Sequence, residues 1–162
     1  MAGFLNILGK LFGNKYDKDV KEISPIVAEI NTQYQALNIL KNDELRNVTT
    51  DLKSQINDFV KEERNKIKEL KLKANSKKTL AKEKEDIYQE IDNIEKLIVE
   101  KIEEILTKIL PIAFAVVKET ARRFKENEII EVTASDNDKE LATIKDFVNI
   151  SGEKAEYSTK WD

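Results

Sequence analysis

Apolar residues recur at steps of three and four along most of the chain, which is the spacing of one face of an α-helix. The clearest run covers residues 87–109, where seven isoleucines follow steps of 4, 3, 4, 4, 3 and 4. The mean step of about 3.67 is closer to a straight helix than to the 3.5 of a left-handed coiled coil. The pattern predicts a helix over residues 78–110, with its apolar face formed by Ile87, Ile91, Ile94, Ile98, Ile102, Ile105 and Ile109.

A second run over residues 43–74 has the complementary pattern, and "ANSKKT" at 74–79 is a natural turn between the two. Asn42 is a suitable N-cap for the first of these helices. We therefore predict a long antiparallel helical hairpin over residues 43–110 with its tip near 74–79, in which each helix is about 45 Å long and forms a protruding arm. The expected partners on the first helix are Leu52, Ile56, Phe59 or Val60, Ile67 and Leu70.

Two further helices are predicted before the hairpin. Residues 17–40 keep helical spacing from Val20 to Leu40, and Pro25 either starts the main helix, with Ser24 as its cap, or kinks it near Ile23. Residues 2–14 predict a short amphipathic helix that either folds back on the core, pairs in a homodimer, or lies in a membrane interface. Its apolar stripe consists of Phe4, Leu5, Leu8, Leu11 and Phe12. Lys10 lies off this stripe, where it would meet the lipid headgroups of a membrane interface.

The stretch from Ile109 to Val117 carries no charge and no hydrogen-bonding side chain. Pro111 is a good first-turn residue, so a separate buried helix is predicted over 111–126. Burying each large apolar side chain is worth roughly 1.5–3 kcal/mol, and a helix that is apolar on all sides needs neighbours on more than one face. We expect one face to dock onto protein outside this sequence, through Ile112, Phe114, Val116, Val117, Arg122 and Arg123.

The remaining residues, 127–162, are less regular. Ser135-Asp136 is a candidate cap for a helix through Leu141, Ile144 and Phe147, and the alternation after it predicts a short hairpin turning at Gly152. The predicted fold class is thus mainly α: an N-terminal amphipathic helix, a long antiparallel helical hairpin, further packed helices, and an irregular or small β C-terminal tail.

Composition limits the chemistry. The chain has no Cys and no His, which excludes Ser–His and Cys–His catalysis and the usual metal ligands. The longest apolar run is nine residues, against the roughly 20 that a membrane-spanning helix needs. No secretory signal precedes the first helix, so we expect a cytoplasmic chain.

The charges of the predicted arm are segregated. Residues 64–84 contain nine Lys or Arg and two acids, whereas residues 85–108 contain eight acids and three lysines. Such a run is either a solvated face or a contact for an anionic surface, such as lipid headgroups, ribosomal RNA or an acidic protein. No aromatic residue lies among these lysines, which disfavours single-stranded nucleic acid. The basic arm tip is defined by Lys71, Lys73, Lys77 and Lys78.

"LPIAFAVVKETARRF" resembles a segment of the SecA family, the ATP-driven motor of bacterial preprotein translocation, that reads close to P-E-A-F-A-V-V-R-E-A-[SA]-R-R. "LGKLFGNKYDKDVKEISPIVAEIN" resembles the family's opening helices, and "LKNDELRNVTTDLKSQI" resembles its L-S-D-E-E-L-[RK]-x-K-T-x-E-[FL] signature. The three stretches occur in the family's order within residues 1–57 and 108–124.

The resemblance implies that residues 1–162 are the N-terminal portion of a larger motor that hydrolyses ATP with Mg²⁺. Its implied partners are the SecY channel complex, preproteins and anionic membrane lipid, with a homodimer as a further option, and its implied place is the inner face of the cytoplasmic membrane as a peripheral protein. In this family the N-terminal helix is associated with lipid, channel and dimer contacts.

The chain departs from the family pattern in two places. Residues 60–106 are an insertion where most members have a short link. The adenine-reading glutamine motif and the phosphate loop are missing, since no glycine starts a G-x-x-x-x-G-K-[ST] stretch. We therefore assign no catalytic, cofactor-binding or metal-binding residue here. The alternative to the motor portion is a non-enzymatic helical adaptor with a membrane-anchoring N-terminal helix.

Overall fold

The computed structural model describes residues 15–160, so the predicted helix over 2–14 lies outside the described residues. Within residues 15–160 the chain is mainly helical and ends in a small antiparallel sheet, which confirms the predicted fold class. The elements in chain order are α1 (Lys15–Leu37), α2 (Asn42–Phe59), α3 (Lys61–Ala74), α4 (Ala81–Glu126), β1 (Ile129–Thr133), α5 (Asp136–Ala142), β2 (Val148–Ser151) and β3 (Lys154–Ser158).

The described chain divides into two compact units. We call Glu44–Ala113 the arm unit, and residues 15–43 with 114–160 the sheet unit. In the arm unit, two apolar clusters line the contact between α4 and the two helices before it, as the isoleucine pattern predicts. One cluster contains Ile67, Ala74, Ile87, Ile91 and Ile94, with Leu70 and Ile98 packed against it. The other contains Leu52, Ile105 and Ile109, with Val48, Ile56, Phe59, Ile112 and Ala113 around it.

The first helix of the hairpin is interrupted, so the prediction of one helix over 43–74 is wrong in this detail. Val60 separates α2 from α3 with φ −115° and ψ 12°, and its side chain is 0% exposed. Phe59 is also partly buried. On a continuous helix these two side chains would point about 100° apart. The break in the helix allows Val60 to be fully buried and Phe59 to be partly buried.

Both prolines lie inside helices, so the prediction that Pro111 opens a separate helix is wrong. Pro111 is within α4 and Pro25 is within α1. Each removes one intrahelical N–H donor, but Ile109, Ile112 and Ala113 continue the apolar cluster across Pro111 and hold the helix there. The hydroxyl of Ser24 donates to the carbonyl oxygen of Val20 at 2.6 Å, an intrahelical contact instead of the proposed cap.

The sheet follows α4. Its strand order is β1-β3-β2, and both pairings are antiparallel. Ala155 in the central strand is 0% exposed and lies opposite Val132 on one side and Ile150 on the other. The predicted hairpin at Gly152 is confirmed, and this glycine has φ +61°, in the left-handed region.

The predicted helix after Ser135 is confirmed at its start and shorter at its end. Ser135 and Asp138 form a reciprocal capping box at the N-terminus of α5. The helix ends at Ala142 and does not reach Phe147. Ile144 lies beyond it and is 68% exposed. Strand β1 was not predicted, because "IIEVT" is too short to distinguish a strand from an irregular tail.

Candidate functional site

The stretch of α4 that follows Ala113 has two different faces within the sheet unit. Val116, Glu119 and Arg123 are spaced at three and four residues and are buried. Phe114 and Val117 are 58% and 66% exposed. Because this spacing places residues on one side of a helix, α4 buries a partly charged face here and leaves apolar side chains on the surface.

Glu119 is the centre of the buried face, with 0% exposure. The Nε and Nη2 atoms of Arg122 donate to its two carboxylate oxygens at 2.9 and 2.7 Å, and Nε of Arg123 donates to Oε1 at 2.8 Å. The hydrogen bonds from Arg122 lower the pKa of Glu119 below its usual value. Burial raises this pKa, and the hydrogen bond from Arg123 lowers it further. Glu119 is therefore ionised at neutral pH, and its charge is matched by two guanidinium groups.

Arg123 also binds the connection between α1 and α2. Its Nη2 donates to the carbonyl oxygen of Leu40 at 2.7 Å and to that of Leu37 at 3.3 Å. Its Nη1 donates to Oδ1 of Asn42 at 2.8 Å. A planar guanidinium with five N–H donors can serve these acceptors together, whereas a lysine ammonium cannot. Arg123 thus fixes the path of the chain between two helices.

The first two residues of α2 reach the sheet through their side chains. Nδ2 of Asn42 donates to the carbonyl oxygen of Glu131 at 2.9 Å. The carboxylate of Asp43 accepts hydrogen bonds from the backbone N–H and the hydroxyl of Thr133, at 2.8 and 2.7 Å. We call Glu119, Arg122, Arg123, Asn42 and Asp43 the polar centre. Its hydrogen bonds link α1, α2, α4 and β1 through residues far apart in the sequence.

The exposed face of α4 carries two of the predicted docking residues. Phe114 and Val117 lie on the surface of the sheet unit. The next residue, Lys118, places Nζ 4.3 Å from the ring centre of Tyr34 and donates to Oδ1 of Asn31 at 2.7 Å. The cation–π contact and the hydrogen bond join Lys118 of α4 to α1.

The six predicted docking residues thus have different environments. Ile112 packs in the arm unit, and Val116 and Arg123 are buried by this chain itself. Arg122 is half-buried and pairs with Glu119 and Glu126. Phe114 and Val117 are the two that present apolar surface, and their docking role remains a prediction.

A second apolar surface lies on the first half of α1. Its residues repeat at helical spacing and are 41–69% exposed: Tyr16, Val20, Ile23 and Val27. The sequence pattern placed the last three on the helix's apolar face, and in the structure that face remains largely open to solvent.

The segregated charges of the arm meet across the hairpin. Lys66 pairs with Glu90 at 2.6 Å, and Lys71 pairs with Glu95 at 3.7 Å. Nearer the base, Lys101 Nζ lies 2.6 Å from Oε1 of Glu63, and this hydrogen bond lowers the pKa of the glutamate. Part of the basic run is therefore neutralised by the acidic helix. Of the predicted tip residues, Lys73, Lys77 and Lys78 take part in no ion pair among residues 15–160.

Within residues 15–160, no cluster of three or more Asp or Glu residues has the arrangement of a metal site. No helix in the same range has the length and apolar character needed to cross a bilayer.

Comparison with known proteins identifies the family to which this chain belongs. Residues 8–136 match the family described as the SecA DEAD-like domain. The chain belongs to the SecA family, as the three sequence stretches indicated. No solved structure matches the chain.

The curated relatives agree with this assignment. The protein translocase subunit SecA of Azobacteroides pseudotrichonymphae is 49% identical over 158 residues, which is 98% of this chain and 14% of that protein. The proteins of the same name from Phocaeicola vulgatus and Porphyromonas gingivalis are 48% and 44% identical, again over 98% of this chain and 14% of their own length. Because these matches extend over almost the whole chain, they include the sequence of the arm unit.

Sequence reasoning missed the polar centre. It placed Arg122 and Arg123 on a docking surface and gave no role to Glu119. A signal was present, since a glutamate three and four residues before two arginines, directly after an apolar stretch, predicts an ion-paired group on a buried helix face. The contacts of Asn42 and Asp43 with β1 have no comparable local signal.

Proposed function

We propose that this chain is part of a protein translocase subunit that uses ATP to move preproteins through the SecY channel across the cytoplasmic membrane. The observation that supports this most directly is the family match over residues 8–136, together with relatives that are each called protein translocase subunit SecA. The chain spans 14% of the length of these relatives, so the nucleotide chemistry belongs to the remaining length of such a protein.

Within that protein we assign the chain a structural and docking role. ATP and Mg²⁺ bind elsewhere, since the sequence contains no phosphate-loop motif. The polar centre around Glu119 and Arg123 holds the sheet unit together, and Phe114 and Val117 supply apolar contacts to the ATPase core. We expect no saturable ATP binding by the isolated chain, which titration calorimetry tests.

The proposed location is the inner face of the cytoplasmic membrane, as a peripheral protein in contact with the channel complex and anionic lipid. The apolar stripe of residues 4–12 is the proposed contact. Leu8→Glu combined with Phe12→Glu is expected to lower the fraction of the chain that pellets with anionic vesicles. Unchanged pelleting would leave this stripe with a packing role only.

The proposed function is tested with a chimera in which this chain replaces the matched segment of the Porphyromonas gingivalis relative. We expect ATP-dependent translocation of a preprotein into membrane vesicles that contain the channel complex. A chimera that folds and binds ATP, but shows neither translocation nor channel-stimulated ATP hydrolysis, would favour the helical adaptor.

The docking surface is tested in the same chimera. Phe114→Asp with Val117→Asp is expected to reduce stimulated ATP hydrolysis strongly, because two charges would then face an apolar contact. Ile144→Asp is the matched control, since Ile144 is also exposed in the sheet unit. Equal activity of the double variant and this control would remove the docking role.

A further inference from the structure

We propose that the arm tip, residues 71–84, binds the surface of an anionic lipid bilayer. This inference deepens the proposed contact with anionic lipid by adding a second site, and it does not depend on ATP, the channel or preproteins. It is a second lipid contact, separate from the stripe of residues 4–12. It is carried by three features of the tip: a net positive charge, two exposed leucines, and a turn whose polar groups bond to one another.

The charge of the tip is strongly positive. Residues 71–84 contain six lysines and one acid, Glu83. The carboxylate of Glu83 accepts a hydrogen bond from the backbone N–H of Leu80 at 3.2 Å, at the start of α4. In the described part of the chain, Lys71 forms the one ion pair of this tip, with Glu95 at 3.7 Å. Glu85 and Asp86 begin the acidic stretch of α4 and limit the basic surface to the tip itself.

Two leucines lie among these lysines. Leu72 is 74% exposed and Leu80 is 69% exposed, more than any other large apolar side chain between residues 44 and 113. Leu72 lies two residues before the end of α3, and Leu80 directly precedes α4. At a rise of about 1.5 Å per residue, both leucines lie within one helical turn of the end of the hairpin. They are therefore placed to enter a surface that the end of the arm approaches.

The turn between them is closed by its own hydrogen bonds. The hydroxyl of Thr79 donates to the carbonyl oxygen of Lys73 at 2.6 Å, and its backbone N–H donates to the carbonyl oxygen of Ser76 at 3.2 Å. The backbone N–H of Lys78 donates to Oγ of Ser76 at 3.3 Å. Backbone groups that are satisfied internally can enter the headgroup region at lower cost.

These features fit a bilayer better than a nucleic acid. Arginine and aromatic side chains provide much of the base and backbone recognition in RNA-binding surfaces, and residues 71–84 contain neither. Lysines attract anionic headgroups, and an apolar residue beside them gains by entering the boundary of the acyl region. The two exposed leucines therefore favour a lipid bilayer over a nucleic acid as the partner of the tip.

The test uses the full chain carrying Leu8→Glu and Phe12→Glu, so that the contribution of residues 4–12 is removed. Its binding to vesicles of phosphatidylglycerol and phosphatidylcholine is measured by sedimentation at low and at moderate salt. We expect binding that weakens with salt and is lost on vesicles of phosphatidylcholine alone. Absence of binding to the anionic vesicles would overturn the proposal.

Two tip variants separate the contributions. Lys77→Gln with Lys78→Gln is expected to weaken binding by about tenfold or more at low salt. Leu72→Ser with Leu80→Ser is expected to weaken it by about tenfold, with less dependence on salt. Circular dichroism confirms that each variant keeps its helical content.

Matched controls show whether the position of the change matters. Lys53→Gln with Lys61→Gln removes the same charge from exposed sites away from the tip, and Leu97→Ser with Leu106→Ser alters two exposed leucines along α4. Each control is expected to change binding by less than about twofold. Equal losses in tip and control variants would overturn the proposal. So would tighter, tip-dependent binding to RNA than to the vesicles, which would assign the tip to nucleic acid.

Discussion

The two units of this chain are stabilised in different ways. The arm unit relies on a repeating apolar face, in which Ile91 is 3% exposed and its neighbours at helical spacing are buried with it. The sheet unit adds to its apolar core a set of polar contacts between distant residues, such as Arg123 with Leu40 and Asp43 with Thr133. One domain can therefore combine a part that many similar apolar contacts stabilise together with a part that also depends on single side chains.

The two kinds of contact differ in how a substitution is tolerated. Truncating one isoleucine of a long apolar face removes its own contacts and leaves the rest in place. Removing Arg123 leaves the buried Glu119 with one guanidinium partner in place of two and frees three acceptors.

Arg123→Ala is expected to reduce the free energy of unfolding by about 3–5 kcal/mol, because it leaves a buried charge incompletely paired. Urea unfolding followed by circular dichroism measures the change, and hydrogen exchange locates it in residues 15–43 and 114–160. Arg122→Ala is the control and is expected to cost less, since Arg122 is half-buried and binds neither Asn42 nor the α1–α2 carbonyls. Equal costs would contradict the special position of Arg123.

Ile91→Ala is expected to reduce stability by about 2–4 kcal/mol through lost apolar contacts and the cavity that remains. The rate of amide hydrogen exchange should increase in the arm unit, around the cluster that contains Ile67 and Ile87. Val99→Ala, at a site that is 57% exposed, is expected to change stability by about 0.5 kcal/mol or less. A cost for Val99→Ala as large as that for Ile91→Ala would show that the apolar face is not the main source of stability.

Acid should weaken both units through carboxylates with lowered pKa values. The pKa of Glu119 is lowered chiefly by its hydrogen bonds from Arg122, and that of Glu63 by its hydrogen bond from Lys101. A carboxylate whose folded pKa lies below its unfolded value stabilises the protein fully above the unfolded value, here 4.5, and this contribution is lost as the pH falls through the folded pKa.

Glu119→Gln is expected to flatten the dependence of stability on pH below about 4.5 more than Glu63→Gln does. Urea unfolding measured at several pH values between neutral and acid tests this. The reason is that Glu119 is paired with two arginines and Glu63 with one lysine. A steeper loss in Glu119→Gln than in the wild type would contradict the assigned pKa direction.

Gly152→Ala is expected to cost about 1 kcal/mol, since alanine is strained at a positive φ. An added Cβ at this site has no atom within 4 Å, so the backbone conformation alone sets the cost. Amide exchange in β2 and β3 should increase, with no change in the arm unit. A neutral substitution would indicate that the turn adopts another conformation in solution.

The sequence predicted what depends on local spacing. The seven isoleucines, the turn at 74–79, the Ser135 cap and the Gly152 turn are each specified by residues close together in the chain. Sequence reasoning missed what depends on distant pairs, because the donors and acceptors around Arg123 are separated by 81–86 residues. It also misjudged Pro111 and Val60, where packing against another helix decides whether a helix continues.

Because α3 and α4 pair antiparallel and are joined by a short turn, the length of the arm can change without a change at either of its ends. Eleven residues complete about three helical turns, so inserting eleven residues between Lys61 and Leu70 and another eleven between Ile87 and Ile98 keeps the apolar sides in phase. Such paired changes would leave the tip and the base chemically intact. Evolution or protein engineering can therefore change the distance between the tip and the base of the arm without altering the residues at either end.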